Sequence, residues 1–305
     1  MSDLDKAVRT VVHECMGVRP NEEVLVVCNP ATRELGDALR NEAEAIGAQA
    51  VLAVMTERSS HAGEPPATVA EAMVAADVLL APTVQSLSHT AARKRATESG
   101  TRTATLPGAT VEMLSRVMSD DMEKLRHRGH RVAELLDRGT EARLTCDHGS
   151  NLKLGLQGRV AIPDAGELTE TGAFGNLPCG EGFIAPATAE GVLVVDGSIA
   201  GVGLVDEPVR LTIKDGHLVD ATGEAGAKLM DLLTVHGPDG TNVAELGIGT
   251  NEKAILTGNI LEDEKILGTA HIAFGASAAI GGNVQVPVHL DVVSMRPEVT
   301  IDGTP

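Results

Sequence analysis

Residues 23–54, EVLVVCNPATRELGDALRNEAEAIGAQAVLAV, read as strand, turn, helix and strand. EVLVVC is an apolar, β-branched run closed by Asn29-Pro30; Leu35, Leu39, Ala43 and Ile46 then recur at spacings of three and four, and QAVLAV returns to a strand pattern. The unit repeats downstream. A helix is expected at 66–75, a strand at 77–81 (DVLLA), a helix at 89–99, a strand at 102–106 (RTATL) and one long helix from about Thr110 to Leu136. Such alternation predicts a mainly parallel sheet covered by helices, because parallel strands need crossovers. We place this α/β domain at residues 1–138.

From Glu141 the period changes. LTCDHGSNLKLGLQG, GVLVVDGSIAG and VRLTIKDGHLVDATG each read as two short alternating strands around a turn containing Gly. A helix is expected at 223–234, and further strands at 243–248, 268–274, 284–293 and 298–302. Residues 139–305 are therefore expected to form a β-rich α+β domain.

Composition narrows the function classes. The chain has 305 residues, 43% of them apolar, enough for a sizeable core. Lys and Arg number 25 against 43 Asp and Glu, a net charge of −18 that repels a phosphate backbone. With no Trp, no Tyr and three Phe, the chain also lacks stacking platforms for bases, so nucleic acid is not an expected partner. No run approaches the roughly 18 apolar residues of a membrane span. The opening MSDLDKAVRT carries acids and no apolar stretch, which points to a cytoplasmic protein. Cys15, Cys28, Cys146 and Cys179 lie far apart, without the C-x-x-C spacing of a zinc ribbon, and are expected as reduced thiols.

The N-terminal half carries neither a P-loop nor a G-x-G-x-x-G after its first strand. Its notable segment is PTVQSLSHT at 82–90, past the carboxyl end of the third strand, where open α/β sheets place ligands. Two readings stand there: Ser88 as a helix cap, and His89 as a substrate-contacting acid or base. The C-terminal half is richer. In VPVHLDVV, His289 and Asp291 leave one face of a strand while Val288, Leu290 and Val292 leave the other. His271 in GTAHIAFG lies on an apolar strand, with a Gly-rich loop between it and His289, so two imidazoles and a carboxylate can converge on a cation. Each histidine alone also reads as a satisfied core residue. Glu181, between Gly180 and Gly182 in an apolar stretch, and Glu245, within a short apolar strand, are candidate further ligands, or else a loop carboxylate and an edge-strand glutamate.

GNLPCGEGFIAP, AELGIGTN, GTAHIAFG and VHLDVV, in this order and with APTVQSLSHT, resemble the thermophilic aminopeptidase family, the aminopeptidase T and S type of metallopeptidase. The resemblance covers most of the chain and is strongest over residues 170–303. It implies a two-domain homodimer that releases N-terminal residues from short peptides and holds two divalent ions, zinc, cobalt or manganese, on Glu181, Glu245, His271, His289 and Asp291. Glu181 or Glu245 would double as general base, Glu181 being favoured for its flexible glycine flanks. The family's catalytic tyrosine falls on Ala278. The chain also resembles the related dihydroxypyridine dioxygenases, which implies as alternative one Fe(II) on His271, His289 and Asp291, a small hydroxylated ring as substrate and His89 as base. A non-catalytic, metal-stabilised homologue is the third reading.

Overall fold

Strand and helix alternate through the first part of the chain as their periodicities require. In this computed structural model, which describes residues 2–305, α1 (Asp3–Arg9) is followed by β1 (Glu23–Cys28), α2 (Arg33–Ile46), β2 (Gln49–Val54), α3 (Ala67–Ala75), β3 (Val78–Ala81), α4 (Ala91–Glu98), β4 (Arg102–Thr105) and α5 (Val111–Val117). β1 pairs in parallel with β2 and β3, and β3 pairs in parallel with β4. Leu25, Val27, Leu79 and Ala81 of these strands share a core with Met73, Leu87, Ala92 and Ala96.

At the carboxyl ends of β1 and β3, buried Asn29 donates from Nδ2 to the Met55 carbonyl at 2.9 Å and accepts from the Val84 N–H at 2.8 Å. The protein's own backbone thus occupies polar groups that a ligand would use at this topological switch. Ser88 does not cap α4. Thr90 does, its Oγ1 accepting from the Arg93 N–H at 3.1 Å, while Ser88 Oγ meets Thr105 Oγ1 at 2.7 Å and donates to Asn176 Oδ1 at 3.1 Å.

The long helix expected from Thr110 to Leu136 is two helices. Asp121 accepts from the N–H groups of Glu123 and Lys124 and so starts α6 (Met122–Arg138) anew after α5. The chain divides into two units, residues up to Asp120 with Gly166–Cys179, and Asp121–Ala165 with Gly180–Pro305. This differs from the expected boundary at 138 in two ways. α6 belongs to the second unit, because Ala133 and Leu136 join that unit's core. After β5 (Glu141–Thr145), β6 (Asn151–Gly155) and β7 (Ile162–Asp164), the chain also supplies β8 (Phe174–Asn176), which pairs in parallel with β4 and completes the order β2-β1-β3-β4-β8.

The second unit continues with β9 (Glu181–Ile184), β10 (Thr188–Val195), β11 (Ser198–Ile199), β12 (Gly203–Leu204), β13 (Val209–Lys214), β14 (His217–Ala221), α7 (Gly223–Thr234), β15 (Val243–Gly249), α8 (Ile260–Asp263), β16 (Ala270–Gly275), β17 (His289–Ser294) and β18 (Glu298–Ile301). They form two sheets, β14-β13-β10-β6-β5-β18 and β12-β11-β17-β16-β15-β9-β7, paired antiparallel. β5–β6 and β13–β14 are the expected hairpins, the second turning at Asp215 and Gly216, both at positive φ. GVLVVDGSI is not a hairpin. Its first half lies in one sheet and Ser198–Ile199 in the other, where Ile199 pairs with Val292; Asp196-Gly197 is the crossing, fixed by the Met295 N–H donating to Asp196 Oδ1 at 2.8 Å. The strand expected from 284 begins only at His289, because Val284 is tied to Ser277 through backbone and Oγ. Leu144, Leu154, Leu193 and Leu211 of one sheet and Leu246, Ile272, Phe274 and Val292 of the other share one core. Among the described residues, no helix is long and apolar enough to cross a membrane.

Candidate metal centre

β9, β15, β16 and β17 are neighbours in one sheet, and their register decides which side chains meet. Glu181 pairs with Gly249, Gly247 with His271, and Ala273 with both Glu245 and Asp291; His289 pairs with Gly275. Because side chains alternate along a strand, these residues all share one face. Leu246, Ile272, Phe274 and Val292 fill the opposite face and lie in the core. The polar face is therefore lined by acids and imidazoles interleaved with the small residues Gly247, Gly249, Ala273 and Gly275. Gly247 makes the convergence possible. A Cβ there would collide with Cε1 and Nε2 of His271, so only glycine lets this ring lie across β15 between Glu181 and Glu245.

The structure brings five of the six residues singled out in the sequence to one place. His271 Nε2 is 3.2 Å from Glu181 Oε2 and 3.3 Å from Glu245 Oε1; His289 Nε2 is 3.3 Å from Glu245 Oε2 and 3.7 Å from Asp291 Oδ1. His89, the sixth, is exposed in the first unit, whereas this cluster belongs to the second. The Nδ1 of His289 donates to the Ala276 carbonyl at 2.7 Å, which sets the ring and leaves Nε2 for the cluster. His271 is buried with Nδ1 unpartnered, and Glu181 Oε2 is likewise buried with no hydrogen-bond partner.

Three more residues, absent from the sequence reading, join this group. Lys265 Nζ lies 2.5 Å from Glu181 Oε1, 2.8 Å from Glu264 Oε1 and 3.4 Å from Asp164 Oδ2. Glu264 also has an oxygen within 4.8 Å of ligand atoms of His271 and Asp291. The one signal for them was the acid-rich run LEDEK directly before the His271 strand; nothing in their spacing linked Asp164, about a hundred residues upstream. Burial grades across the site. The Lys265 and His271 side chains are 1% exposed, whereas His289 and Asp291 are 18% and 14% exposed, so the row opens at its β17 end.

Electrostatics follow from this packing. Burial pushes the Glu181 carboxyl up to about 8, against the opposing pull of Lys265. Burial would raise Glu245 too, but hydrogen bonds from His271 and His289 prevail and hold it well below the usual carboxylate range. Burial disfavours the charged imidazoles, yet Glu181 above all for His271, and Asp291 for His289, raise them to about 9 and about 10. Burial likewise raises Asp164 and Asp291, each to about 6.

Glu181, Glu245 and His271 form one triad of donor atoms, Glu245, His289 and Asp291 a second, and Glu264, His271 and Asp291 a third, each with all atoms within 4.8 Å. Imidazole nitrogens with several carboxylates suit borderline to hard divalent cations. Glu181 Oε2, buried without a hydrogen-bond partner, is an oxygen that a cation could take as a ligand.

Fold and site together define a two-unit α/β plus antiparallel protein with a buried cluster of carboxylates and imidazoles that could hold a metal ion. The chain belongs to the NicX family, described as 2,5-dihydroxypyridine 5,6-dioxygenase, whose model matches residues 3–305. It is similar to aminopeptidase PepS of Streptococcus thermophilus, 26% identical over 179 residues, 51% of this chain and 43% of that protein. The chain thus matches less than half the length of this curated relative. Among solved structures it resembles 2,5-dihydroxypyridine dioxygenase from Pseudomonas putida KT2440, with a TM-score of 0.84, 20% identity and coverage of 99% of this chain and 95% of that one. It also resembles wild-type AmpT from Thermus thermophilus, with a TM-score of 0.73, 20% identity and coverage of 97% and 94%.

Proposed function

We propose that this protein is a metal-dependent hydrolase of the aminopeptidase kind, acting at the amino end of short peptides with two divalent ions, zinc, cobalt or manganese. The observation that carries the reading is the Glu245 carboxylate. Its two oxygens face two different imidazoles at 3.3 Å each, and each imidazole has its own further carboxylate, Glu181 beside His271 and Asp291 beside His289. One shared carboxylate with a histidine and an acid on either side is a donor set for paired cations. Such ions, when bound, lower the pKa of water and stabilise charge developing on a carbonyl oxygen.

The chain's own residues supply the rest. Glu181 is the carboxyl assigned to proton exchange, through Oε2, the oxygen that Lys265 leaves open. Ala276 holds the His289 ring in the tautomer that offers Nε2. The more exposed edge at His289 and Asp291 admits the substrate, and the concentration of acids favours its positively charged amino terminus. The test is reconstitution with zinc, cobalt or manganese, elemental analysis, and assay for free amino acid released from short peptides. Two ions per chain with release are expected; fewer than two, or no release under any of the three metals, defeats the reading.

A second reading has its own support in the family model spanning residues 3–305 and in the absence of any tyrosine, the aminopeptidase family's position being Ala278 here. In it, His271, His289 and Asp291 hold one Fe(II) and the substrate is a small dihydroxylated nitrogen ring. Oxygen uptake with 2,5-dihydroxypyridine by protein carrying one iron per chain would select it over the first.

A further inference from the structure

The sealed end of the row of acids already contains a cation, and it is a side chain. Asp164 in β7, Glu181 in β9 and Glu264 just beyond α8 each direct a carboxylate oxygen at Lys265 Nζ, at 3.4, 2.5 and 2.8 Å. Convergent carboxylate oxygens from separate segments are what a hard divalent cation takes as ligands. Here the ammonium stands at their focus, and at 1% exposure it has no water to retreat to. Burying an ammonium is costly unless opposite charges meet it, and three carboxylates at this range do so. A second observation joins this nest to the ion positions. Glu181 spends Oε1 on Lys265, while its Oε2 is buried, without a hydrogen-bond partner and aimed at His271. Glu264 shares in the same way, with one oxygen on Lys265 and a place in the triad with His271 and Asp291.

We propose that the Lys265 ammonium is a built-in cation of this centre, filling the position walled by Asp164, Glu181 and Glu264 that a further divalent ion would otherwise take. It rests on reading the neighbouring cluster as ion-binding. Lys265 is thus a positioning residue: it limits Glu181 to a single outward oxygen and confines exchangeable ions to the stretch between Glu181 and Asp291. A tethered charge does this without being lost to a chelator.

The test compares wild type, Lys265→Ala and Lys265→Met after saturation with Mn²⁺ and desalting, by elemental analysis and by thermal denaturation with and without Mn²⁺. Lys265→Ala opens the position and is expected to carry one more manganese per chain than wild type, and to gain more in melting temperature from Mn²⁺ than wild type does. Lys265→Met fills the space with an uncharged side chain and is expected to keep the wild-type count. An equal count in Lys265→Ala and wild type overturns the inference. So does a Lys265→Ala chain that manganese stabilises no more than wild type, including one that fails to fold in either condition. Wild type that takes no manganese defeats the ion-binding reading of the cluster, and the extra uptake by Lys265→Ala still decides the role of Lys265.

Discussion

Glu245 is buried among apolar strands, where an unpaired carboxylate would hold its proton, yet it lies within 3.3 Å of both His271 and His289 and is kept ionised by them. Glu245→Gln preserves its shape and removes that charge. We expect the variant to lose at least one ion per chain and activity to fall by on the order of 100-fold or more, since outer partners of metal ligands alone are worth roughly 10–100-fold; elemental analysis alongside turnover checks this. The imidazoles also set a pH dependence. His271 and His289 are raised from 6.5 to about 9 and about 10. Their contribution to the ion-free fold is therefore whole below about 6.5 and is lost as pH rises through 9 to 10. Glu181, raised from 4.5 to about 8, acts in the same direction at lower pH. Melting temperature of the chelated protein should fall steadily from pH 6.5 to 10, and a flat profile would contradict these assignments. Ion affinity should rise over the same window, with protons released on binding, because a ligating imidazole must be neutral.

At the scale of elements, the centre is a property of four adjacent strands, each contributing a polar residue at a position that register brings level with the next. Small residues on that face are as necessary as the acids. Gly247→Ala places a methyl where the His271 ring lies, so the ring must turn away from Glu181 and Glu245. Overpacking of this kind costs about 1–3 kcal/mol. We expect a folded protein, by circular dichroism, whose ion content is reduced, whereas unchanged ion content would show that His271 does not need this orientation. Close approach recurs at Gly182, where a Cβ would meet Val132 Cγ1 at 2.8 Å, and this is how α6 seats directly over β9 behind Glu181.

For the whole molecule, the ions would be held by the second unit alone, since all the clustered donors belong to it. A ligand bound only by the folded state stabilises by mass action, about 2.7 kcal/mol for one ion at a hundredfold excess over its dissociation constant. Calorimetry should show a transition that moves down on chelation and returns on adding back zinc, cobalt or manganese. A trace insensitive to chelator would show that no exchangeable ion contributes to stability.

Four strands of the parallel sheet, the two true hairpins and the face shared by His289 and Asp291 were legible in the sequence because each is a local pattern: periodicity, a turn residue, an alternation of two. The chemistry of Glu181, Glu245, His271, His289 and Asp291 made each a candidate, as polar groups in apolar surroundings that must be satisfied by something, but it was the resemblance to the aminopeptidase family that implied all five as one set. The rest depended on contacts between distant segments. Asp164 and Glu264 are ordinary acids until β7 and the turn after α8 bring them to Lys265; FGN at 174–176 carries too little pattern to announce a fifth parallel strand; and Asp196-Gly197 looks like a hairpin turn but crosses between sheets because Ile199 finds its partner in Val292. Side-chain period is written along a chain, whereas strand partners and the burial of a charge are set by what the folded chain puts next to it.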